Sequence, residues 1–208
     1  FMKTFEGLFT GHLIGARRQR QFCRMSVCEI MTIFVGFQII GGRNFKKYYQ
    51  DTVCQFHRTD FPSLVSYGRF TEVAAIAAVP MMFFLKFGME MSQHTSIYVI
   101  DSTPLRVCMN LRIPRHKVFK DFAGRGKTSV GWFYGFKLHL VVNHLGELMA
   151  INISTGNADN RTPVPDMVKN LKGKLFGDKG YISAKLAKEL AYHKITLIEI
   201  KIISSNET

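Results

Sequence analysis

The chain has 208 residues, and 47% of them are apolar. That length suits one ordinary domain with a small additional one, and that composition excludes a disordered chain. Lys and Arg number 28 against 15 Asp and Glu, which gives a formal net charge of +13. Such an excess favours a polyanionic partner, either nucleic acid or an acidic membrane surface, although a basic protein without such a partner stays open.

Neither the cysteines nor the apolar stretches indicate a secreted or membrane protein. The four cysteines form no CxxC pair, and no His stands at zinc-finger spacing from them, which is typical of reduced cysteines in the cytoplasm. The longest apolar stretch, Ile30 to Ile40, is shorter than the about 20 residues that a spanning helix needs. The residues after Lys3 and Glu6 lack the apolar core of a signal peptide. We therefore expect a cytoplasmic protein with no membrane partner.

Residues 1–92 are predicted to be a small helical region. Ser26 and Glu29 form the pattern of a capping box in front of the apolar stretch Ile30 to Ile40, and Gly41-Gly42 is typical of a helix end. This pattern predicts a first helix between the cap and the glycines.

Two further helices are predicted in this region. The segment Asn44–Gln55 carries aromatic residues at helical spacing, which indicates a helix that packs into a core. Ser66 is a candidate cap for a last helix, whose apolar body runs over Val73–Leu85 with an expected kink at Pro80.

Residues 93–208 are predicted to be an α/β domain, because the pattern changes to short apolar or alternating runs. The predicted strands are Ile97–Ile100, 131–143, Leu148–Ile153, Leu175–Phe176 and Ile195–Ile202. The predicted helices are 161–171 and Ser183–His193. Within 131–143, the residues Lys137, His139 and Asn143 share the polar face, so His139 is expected to point toward solvent or a neighbouring residue. Three strands followed by β-α units favour a mixed sheet with helices packed on it.

Two carboxylates directly follow predicted buried strands. Asp101 comes after Ile97–Ile100, and Asp178 comes after Leu175–Phe176. If these two strands are neighbours, both carboxylates lie at one rim of the sheet, where open α/β folds place their sites. Such a pair suits Mg²⁺ or Mn²⁺, and two ions held about 4 Å apart can activate an attacking oxygen and stabilise a leaving one. The alternative is that each aspartate only caps a turn.

The stretch 106–127 is strongly basic and rich in glycine. It is predicted to be a mobile loop that contacts DNA phosphates, and a merely solvated basic loop is the alternative. The predicted contacts are Arg115, Lys117, Lys120, Arg125 and Lys127. Gly126-Lys127-Thr128 does not make a P-loop, because Asp121 stands where that motif has glycine. A second basic group, Arg17, Arg18, Arg20 and Arg24, contacts DNA or is simply solvated.

Four strings stand in one order along the chain and together resemble a known family. They are Ile100-Asp101-Ser102-Thr103-Pro104, Gly131-Trp132-Phe133-Tyr134-Gly135, Gly156-Asn157-Ala158-Asp159-Asn160 and Gly177-Asp178-Lys179-Gly180-Tyr181. Each string is weakly specific, but the four in order closely resemble the DDE transposases of bacterial insertion sequences. The resemblance covers nearly the whole chain and implies an RNase H-like fold for 93–208.

The resemblance also implies an activity. In that family the matching acids are the first two metal ligands, which gives Asp101 and Asp178 as catalytic and metal-binding residues. The resemblance also implies two bound Mg²⁺ or Mn²⁺ ions. The implied reaction is hydrolysis at the end of a DNA element, followed by attack of the freed 3′-hydroxyl on target DNA. The implied partners are double-stranded DNA and further copies of the chain, and the implied location is the bacterial nucleoid.

The sequence departs from that family at its end. The family's third ligand is a Glu on a helix beyond the last predicted strand, whereas the only acids after Asp178 are Glu189, Glu199 and Glu207. We therefore expect a chain that is truncated before its third ligand and whose activity is weak or absent. Asp159 is a competing metal ligand or a turn residue, and the family often has an acid where Asn160 stands. The alternatives are a DNA-binding remnant that inhibits intact copies and a plain nuclease.

Overall fold

The computed structural model describes residues 24–128 and 130–200. The chain divides into two compact units, one up to Phe87 and one from Gly88 onward. Three predicted basic residues, Arg17, Arg18 and Arg20, lie outside the described residues, and so does Glu207.

The first unit is helical, as the sequence predicts. Its α-helices are α1 (Val27–Ile39), α2 (Phe45–Lys47), α3 (Cys54–Phe56), α4 (Tyr67–Val73) and α5 (Ala78–Met91). A π-helical segment, Tyr48–Val53, joins α2 to α3, and a 3-10 segment, Ala74–Ala77, joins α4 to α5. The predicted helix over Val73–Leu85 is therefore interrupted before Pro80 rather than at it. Pro80 lies in the first turn of α5, where its missing N–H removes no helical hydrogen bond.

Predicted caps begin two of these helices. The Ser26 hydroxyl accepts from the Glu29 amide at 3.1 Å, and the Glu29 carboxylate accepts from the Ser26 amide at 2.6 Å, which completes a capping box. Ser66 accepts from the amide of Arg69 at 3.3 Å and starts α4. Gly41 takes a φ of +68° just past α1, a conformation that glycine adopts at little cost.

Aromatic rings form the centre of the first unit. The rings of Tyr49 and Phe70 lie 4.7 Å apart between centroids, and Phe34 stacks on Phe45 at 5.2 Å. Tyr49 is fully buried, and its hydroxyl donates to the carbonyl of Val65 at 2.6 Å. The aromatic stripe therefore forms a core, as helical spacing predicts.

One helical run in the described residues has the length and composition of a membrane span. Tyr67–Met91 comprises 25 residues, and its most apolar 18-residue window has a mean hydropathy of 1.6 with 22% of it buried. This run is longer than the apolar stretch Ile30 to Ile40, on which the expectation of no membrane partner is based. Core helices of proteins without any membrane contact can have the same length and apolar composition, so the run is weak evidence for a span.

The second unit contains a six-stranded mixed sheet. Its strands are β1 (Ile97–Cys108), β2 (Gly124–Thr128), β3 (Gly131–Asn143), β4 (Leu148–Thr155), β5 (Gly173–Gly177) and β6 (Ile195–Glu199). They lie in the order β2-β3-β1-β5-β6, and β4 also pairs with β3. β1 is antiparallel to β3 and parallel to β5, and β5 is parallel to β6. The predicted α/β class with a mixed sheet and a preceding helical region is confirmed.

Two strands differ from their predicted extents. β1 continues to Cys108, eight residues past the predicted end at Ile100, because its second half pairs with β3. The stretch 106–127 was predicted to be a mobile loop, and that prediction is wrong for residues 106–108, which belong to β1, and for residues 124–127, which belong to β2. Glycine and charged residues dominate β2, and neither has a high strand propensity. Its pairing with β3 holds it in the sheet.

Helices α6 (Val164–Val168) and α7 (Ala184–Tyr192) pack on one face of this sheet. The buried cluster comprises Tyr98, Ile100, Val141, Val164, Val168, Leu171, Leu175, Tyr181, Leu186, Leu190 and Ile195. This is the face that carries Val141 and His139, so the predicted polar face of β3 is the buried one. His139 is fully buried, which rules out the solvent-facing orientation and leaves the expected contact with neighbouring residues.

Candidate active site

The carboxyl end of β5 and the middle of β1 bring two predicted site residues to one place on the sheet. Ile100 and Gly177 are the last register partners of these two parallel strands. Asp101 and Asp178 come directly after them and are both exposed. Neighbouring strands lie about 4.8 Å apart, so the two aspartates lie side by side where β5 leaves the sheet. β5 ends there while β1 continues, which leaves the β5 side of β1 open at Asp101.

Local hydrogen bonds orient both carboxylates through one oxygen each. Asp101 Oδ1 accepts from the amide of Ser102 at 2.7 Å. Asp178 Oδ1 accepts from the amide of Gly180 at 3.0 Å and caps the 3-10 turn Lys179–Tyr181. The turn-capping alternative therefore describes Asp178 correctly, but it occupies only one of the two oxygens.

Tyr181 and His139 form a buried polar network beside these carboxylates. The Tyr181 hydroxyl lies 3.2 Å from His139 Nδ1, and His139 Nε2 lies 2.8 Å from the Ser154 hydroxyl. Burial raises the pKa of Tyr181 to about 12, a hydrogen bond with Ser102 acts in the opposite direction, and the negative charges of Asp101 and Asp178 raise it further. Both carboxylates therefore lie within electrostatic reach of one phenol.

Burial also lowers the pKa of His139, and the positive charge of Lys137 lowers it further. A neutral imidazole has one nitrogen that donates and one that accepts, which matches the two hydroxyl partners. Sequence reasoning did not assign this network a role. The alternation of β3 puts His139 on one face of the strand, and its position opposite Ser102 comes from the pairing of β3 with β1.

A cation lies beside the turn that carries Asp178. Lys137 Nζ donates to the carbonyl of Ala158 at 2.7 Å and to Asn160 Oδ1 at 2.9 Å. A β-carbon added to Gly180 would lie 3.1 Å from Asp178 Oδ1 and 3.5 Å from Asn160 Nδ2, so the Asn160 amide is close to the same turn. Two of the three N–H groups of the Lys137 ammonium are engaged by these acceptors, so one N–H remains available to another acceptor. Lys137 was not among the predicted site residues.

A family profile described as "Transposase DDE domain" matches residues 91–205, which is more than half of the chain. The chain belongs to this family. A chain of piggyBac transposase, solved by cryo-EM as a synaptic complex with hairpin DNA, is similar at 16% sequence identity with a TM-score of 0.41. That similarity covers 68% of this chain and 31% of the piggyBac chain. No curated protein sequence matches significantly.

The two aspartates lie within the matched part of this DDE transposase domain. Members of this family generally use divalent metal ions. Within residues 24–128 and 130–200, no three His, Cys, Asp or Glu side chains gather into a group that could hold a metal ion.

The other acids of the DDE domain take different positions. Arg161 binds Asp159 through Nε at 2.9 Å and through a second guanidinium nitrogen at 2.5 Å. These hydrogen bonds lower the pKa of Asp159 to about 2. Since both of its oxygens are occupied, Asp159 is a poorer metal ligand than Asp101 or Asp178. Glu189 lies on α7, and Glu199 ends β6 as the register partner of Gly177.

The predicted DNA-contacting residues fall into two groups. Arg115 ends the 3-10 segment Asn110–Arg115, and Lys117 and Lys120 follow it, all three exposed. Arg125 and Lys127 are exposed and alternate on one face of β2, so the DDE domain holds them on a strand. Lys127 Nζ lies 5.8 Å from the centre of the exposed Trp132 ring on β3.

Proposed function

We propose that this DDE domain catalyses Mg²⁺-dependent or Mn²⁺-dependent cleavage and strand transfer of DNA during transposition of an insertion sequence, with Asp101 and Asp178 as metal ligands. The observation that carries the proposal is the position of these two carboxylates directly after the last paired residues of neighbouring parallel strands. The family match supplies the reaction class. The net charge of +13 favours the polyanionic substrate.

The donor set at this edge of the sheet suits a hard divalent cation. Among the described residues, Asp101 and Asp178 each use Oδ1 in a local hydrogen bond, and no hydrogen bond involves either Oδ2. Two carboxylates with free oxygens fit Mg²⁺, which takes one or two protein carboxylates and completes its octahedron with water and phosphate oxygens. When bound, a pair of such ions would lower the pKa of an attacking water and stabilise the leaving oxygen.

The chain's own residues supply position and charge in this proposal. The Tyr181–His139 network holds the turn after β5, and with it the Asp178 carboxylate. The ammonium of Lys137, close to that turn, provides positive charge for a phosphate oxygen of the bound strand. Arg125 and Lys127 on β2 hold the DNA backbone, together with Arg115, Lys117 and Lys120. In-line attack by water or by a 3′-hydroxyl needs no covalent intermediate with the protein.

We further propose that the chain acts as a homo-oligomer on double-stranded DNA in the bacterial cytoplasm. Two DNA ends must be brought together for a strand-transfer reaction, and two copies of a basic chain can each hold one end. Light scattering of the chain with and without a DNA duplex measures this assembly, and a single copy per duplex at all concentrations would contradict it.

The test of the proposed function is nicking of supercoiled plasmid in Mg²⁺ or Mn²⁺. We expect weak nicking by the unaltered chain and its loss in Asp101→Asn and Asp178→Asn, since each substitution removes a charged metal ligand. Asp159→Asn and Glu189→Gln are the matched controls, because they remove the same charge elsewhere in the domain. Equal loss in the controls would contradict the assignment of Asp101 and Asp178.

A second assay separates the alternatives. An oligonucleotide duplex with a recessed, labelled 3′-hydroxyl becomes joined to plasmid if the chain catalyses strand transfer. Nicking without joining would indicate a plain nuclease. Binding of DNA without nicking would indicate a DNA-binding remnant, which inhibits intact copies by assembling with them.

A further inference from the structure

The first unit contains a basic cleft outside the part of the chain that matches the transposase family. The cleft has a volume of about 550 Å³. It is lined by Arg24, Arg58, Pro62, Ser63, Leu64, Val65, Ser66 and Arg69. Three arginines and two serines therefore line one space, and no acidic residue is among the lining residues.

Two of the three arginines are available to a ligand. Across the described residues, the guanidinium groups of Arg24 and Arg58 form no hydrogen bond or ion pair with protein. The acids nearby along the chain bind other groups, since Asp60 lies 2.9 Å from His57 Nδ1 and Glu72 lies 2.6 Å from Arg69, the third arginine of the cleft. The positive charge of Arg24 and Arg58 at the cleft is therefore not neutralised by a neighbouring carboxylate.

The wall of the cleft is attached to the core of the first unit. The buried Tyr49 hydroxyl donates to the carbonyl of Val65, and the amide of Leu64 donates to the carbonyl of Phe61 at 3.0 Å. Ser66 is fixed as the cap of α4. Because these hydrogen bonds fix residues 64–66, the cleft has a defined shape before a ligand binds. This lowers the entropic cost of binding.

We propose that this cleft binds the phosphodiester backbone of duplex DNA. The planar guanidinium fork matches the geometry of phosphate oxygens, and seryl hydroxyls add hydrogen bonds of the kind that position proteins on a DNA backbone. A volume of about 550 Å³ accommodates a phosphate with its sugar. The proposal rests on the proposed function in taking DNA as the partner. It gives the helical unit a role that is separate from cleavage.

The test compares two charge-matched double variants of the full chain. Arg24→Gln/Arg58→Gln removes both available guanidinium groups from the cleft. Arg43→Gln/Lys47→Gln removes the same charge from exposed positions of the same unit, outside the cleft. Binding of a labelled duplex is measured by fluorescence anisotropy over a range of salt concentrations in EDTA. Without metal no cleavage occurs, so failure of the proposed reaction leaves this measurement unaffected.

We expect the cleft variant to bind the duplex at least about tenfold more weakly than the control variant at moderate salt. The affinity falls as salt rises, and each phosphate contact adds about 0.9 to the steepness of log K against log salt. Loss of two phosphate contacts should therefore make this dependence shallower by about 1.8. Equal affinity and slope in the two variants would overturn the proposal. Binding of inorganic phosphate to the cleft, with duplex affinity unchanged in the cleft variant, would also overturn it in favour of a small-anion site.

A measurement on the unaltered chain covers the case in which the cleft variant fails to fold. Phenylglyoxal modifies accessible arginines, and mass spectrometry of peptides locates the modified positions. We expect duplex DNA to protect Arg24 and Arg58 by at least about fivefold relative to Arg43. Equal protection at all three arginines would overturn the proposal.

Discussion

The ring of His139 and the hydroxyl of Tyr181 lie 3.2 Å apart on the buried face of the sheet. His139 belongs to the middle of β3, and Tyr181 ends the turn that begins at Asp178. Their hydrogen bond therefore connects the centre of the sheet to the turn that carries one of the two proposed metal ligands. A buried pair of this kind favours one arrangement of the turn, since an alternative arrangement would leave polar atoms without partners.

We expect Tyr181→Phe to destabilise the domain. The substitution keeps the ring but removes the partner of His139 Nδ1, and a buried polar atom left unsatisfied costs about 1–3 kcal/mol. Denaturant unfolding measures this free energy. Nicking should also fall, because the Asp178 turn is held less firmly. Tyr192→Phe is the control, because Tyr192 is 88% exposed and its hydroxyl is not part of a buried network. Equal stability of the two variants would contradict the role given to this hydrogen bond.

Acid should destabilise the domain through His139. Burial and the charge of Lys137 hold the pKa of His139 below its ordinary value of 6.5. As the pH falls through about 6.5, the unfolded chain binds a proton at this ring while the folded chain does not. The free energy of unfolding therefore falls from pH 6.5 down to the folded pKa, and this contribution is complete above pH 6.5. We expect His139→Gln to lose less stability between pH 7.5 and 5 than the unaltered chain. If the free energy of unfolding falls with pH equally in His139→Gln and in the unaltered chain, His139 does not titrate in this way.

Much of the sheet could be predicted from the sequence because its patterns are local. Gly131–Asn143 alternates clearly, and its predicted bounds are those of β3. The position of Asp101 and Asp178 after two strands likewise followed from short apolar runs with an acid behind them. What had to be supplied by the structure was the parallel pairing of β1 with β5, which joins residues far apart in the chain.

The parts that could not be predicted depend on contacts between distant segments. Alternation gives two faces of β3, but it does not say which face the helices cover, and here the face with His139 and Asn143 is buried. Asn143 is satisfied there by donating to the Gln93 carbonyl at 3.0 Å and to the Glu147 carboxylate at 2.7 Å. β2 has the composition of a loop and becomes a strand only by pairing with β3. The Lys137 ammonium is held by its hydrogen bond to Asn160, which is distant in sequence and comes close only in the folded chain.

A divalent ion should stabilise the folded chain through Asp101 and Asp178. A ligand that binds only the folded state raises the free energy of unfolding by about 2.7 kcal/mol at a concentration of a hundred times its Kd. We expect Mg²⁺ or Mn²⁺ to raise the melting temperature of the unaltered chain, with no such rise in Asp101→Asn or Asp178→Asn. Asp159→Asn should keep the rise, because Arg161 already occupies both oxygens of that carboxylate. A rise retained in Asp101→Asn and Asp178→Asn would place the ion elsewhere.

The position of β2 can be changed without changing any charge. Gly126 lies between Arg125 and Lys127 and is buried, and a β-carbon there would come within 2.5 Å of the Phe133 ring and still closer to the Gly156 carbonyl. We expect Gly126→Ala to cost about 1–3 kcal/mol, as overpacking generally does. It should also weaken binding of a DNA duplex, because the strand that holds both cations is displaced.

The control for this variant is Gly68→Ala in α4, where an added β-carbon meets nothing within 4 Å. Alanine favours the helix by about 1 kcal/mol over glycine, so this variant should be as stable as the unaltered chain or more so, with unchanged DNA binding. Denaturant unfolding and fluorescence anisotropy measure both quantities. If Gly126→Ala loses stability but binds DNA as before, β2 supports the sheet and its two cations do not hold the DNA.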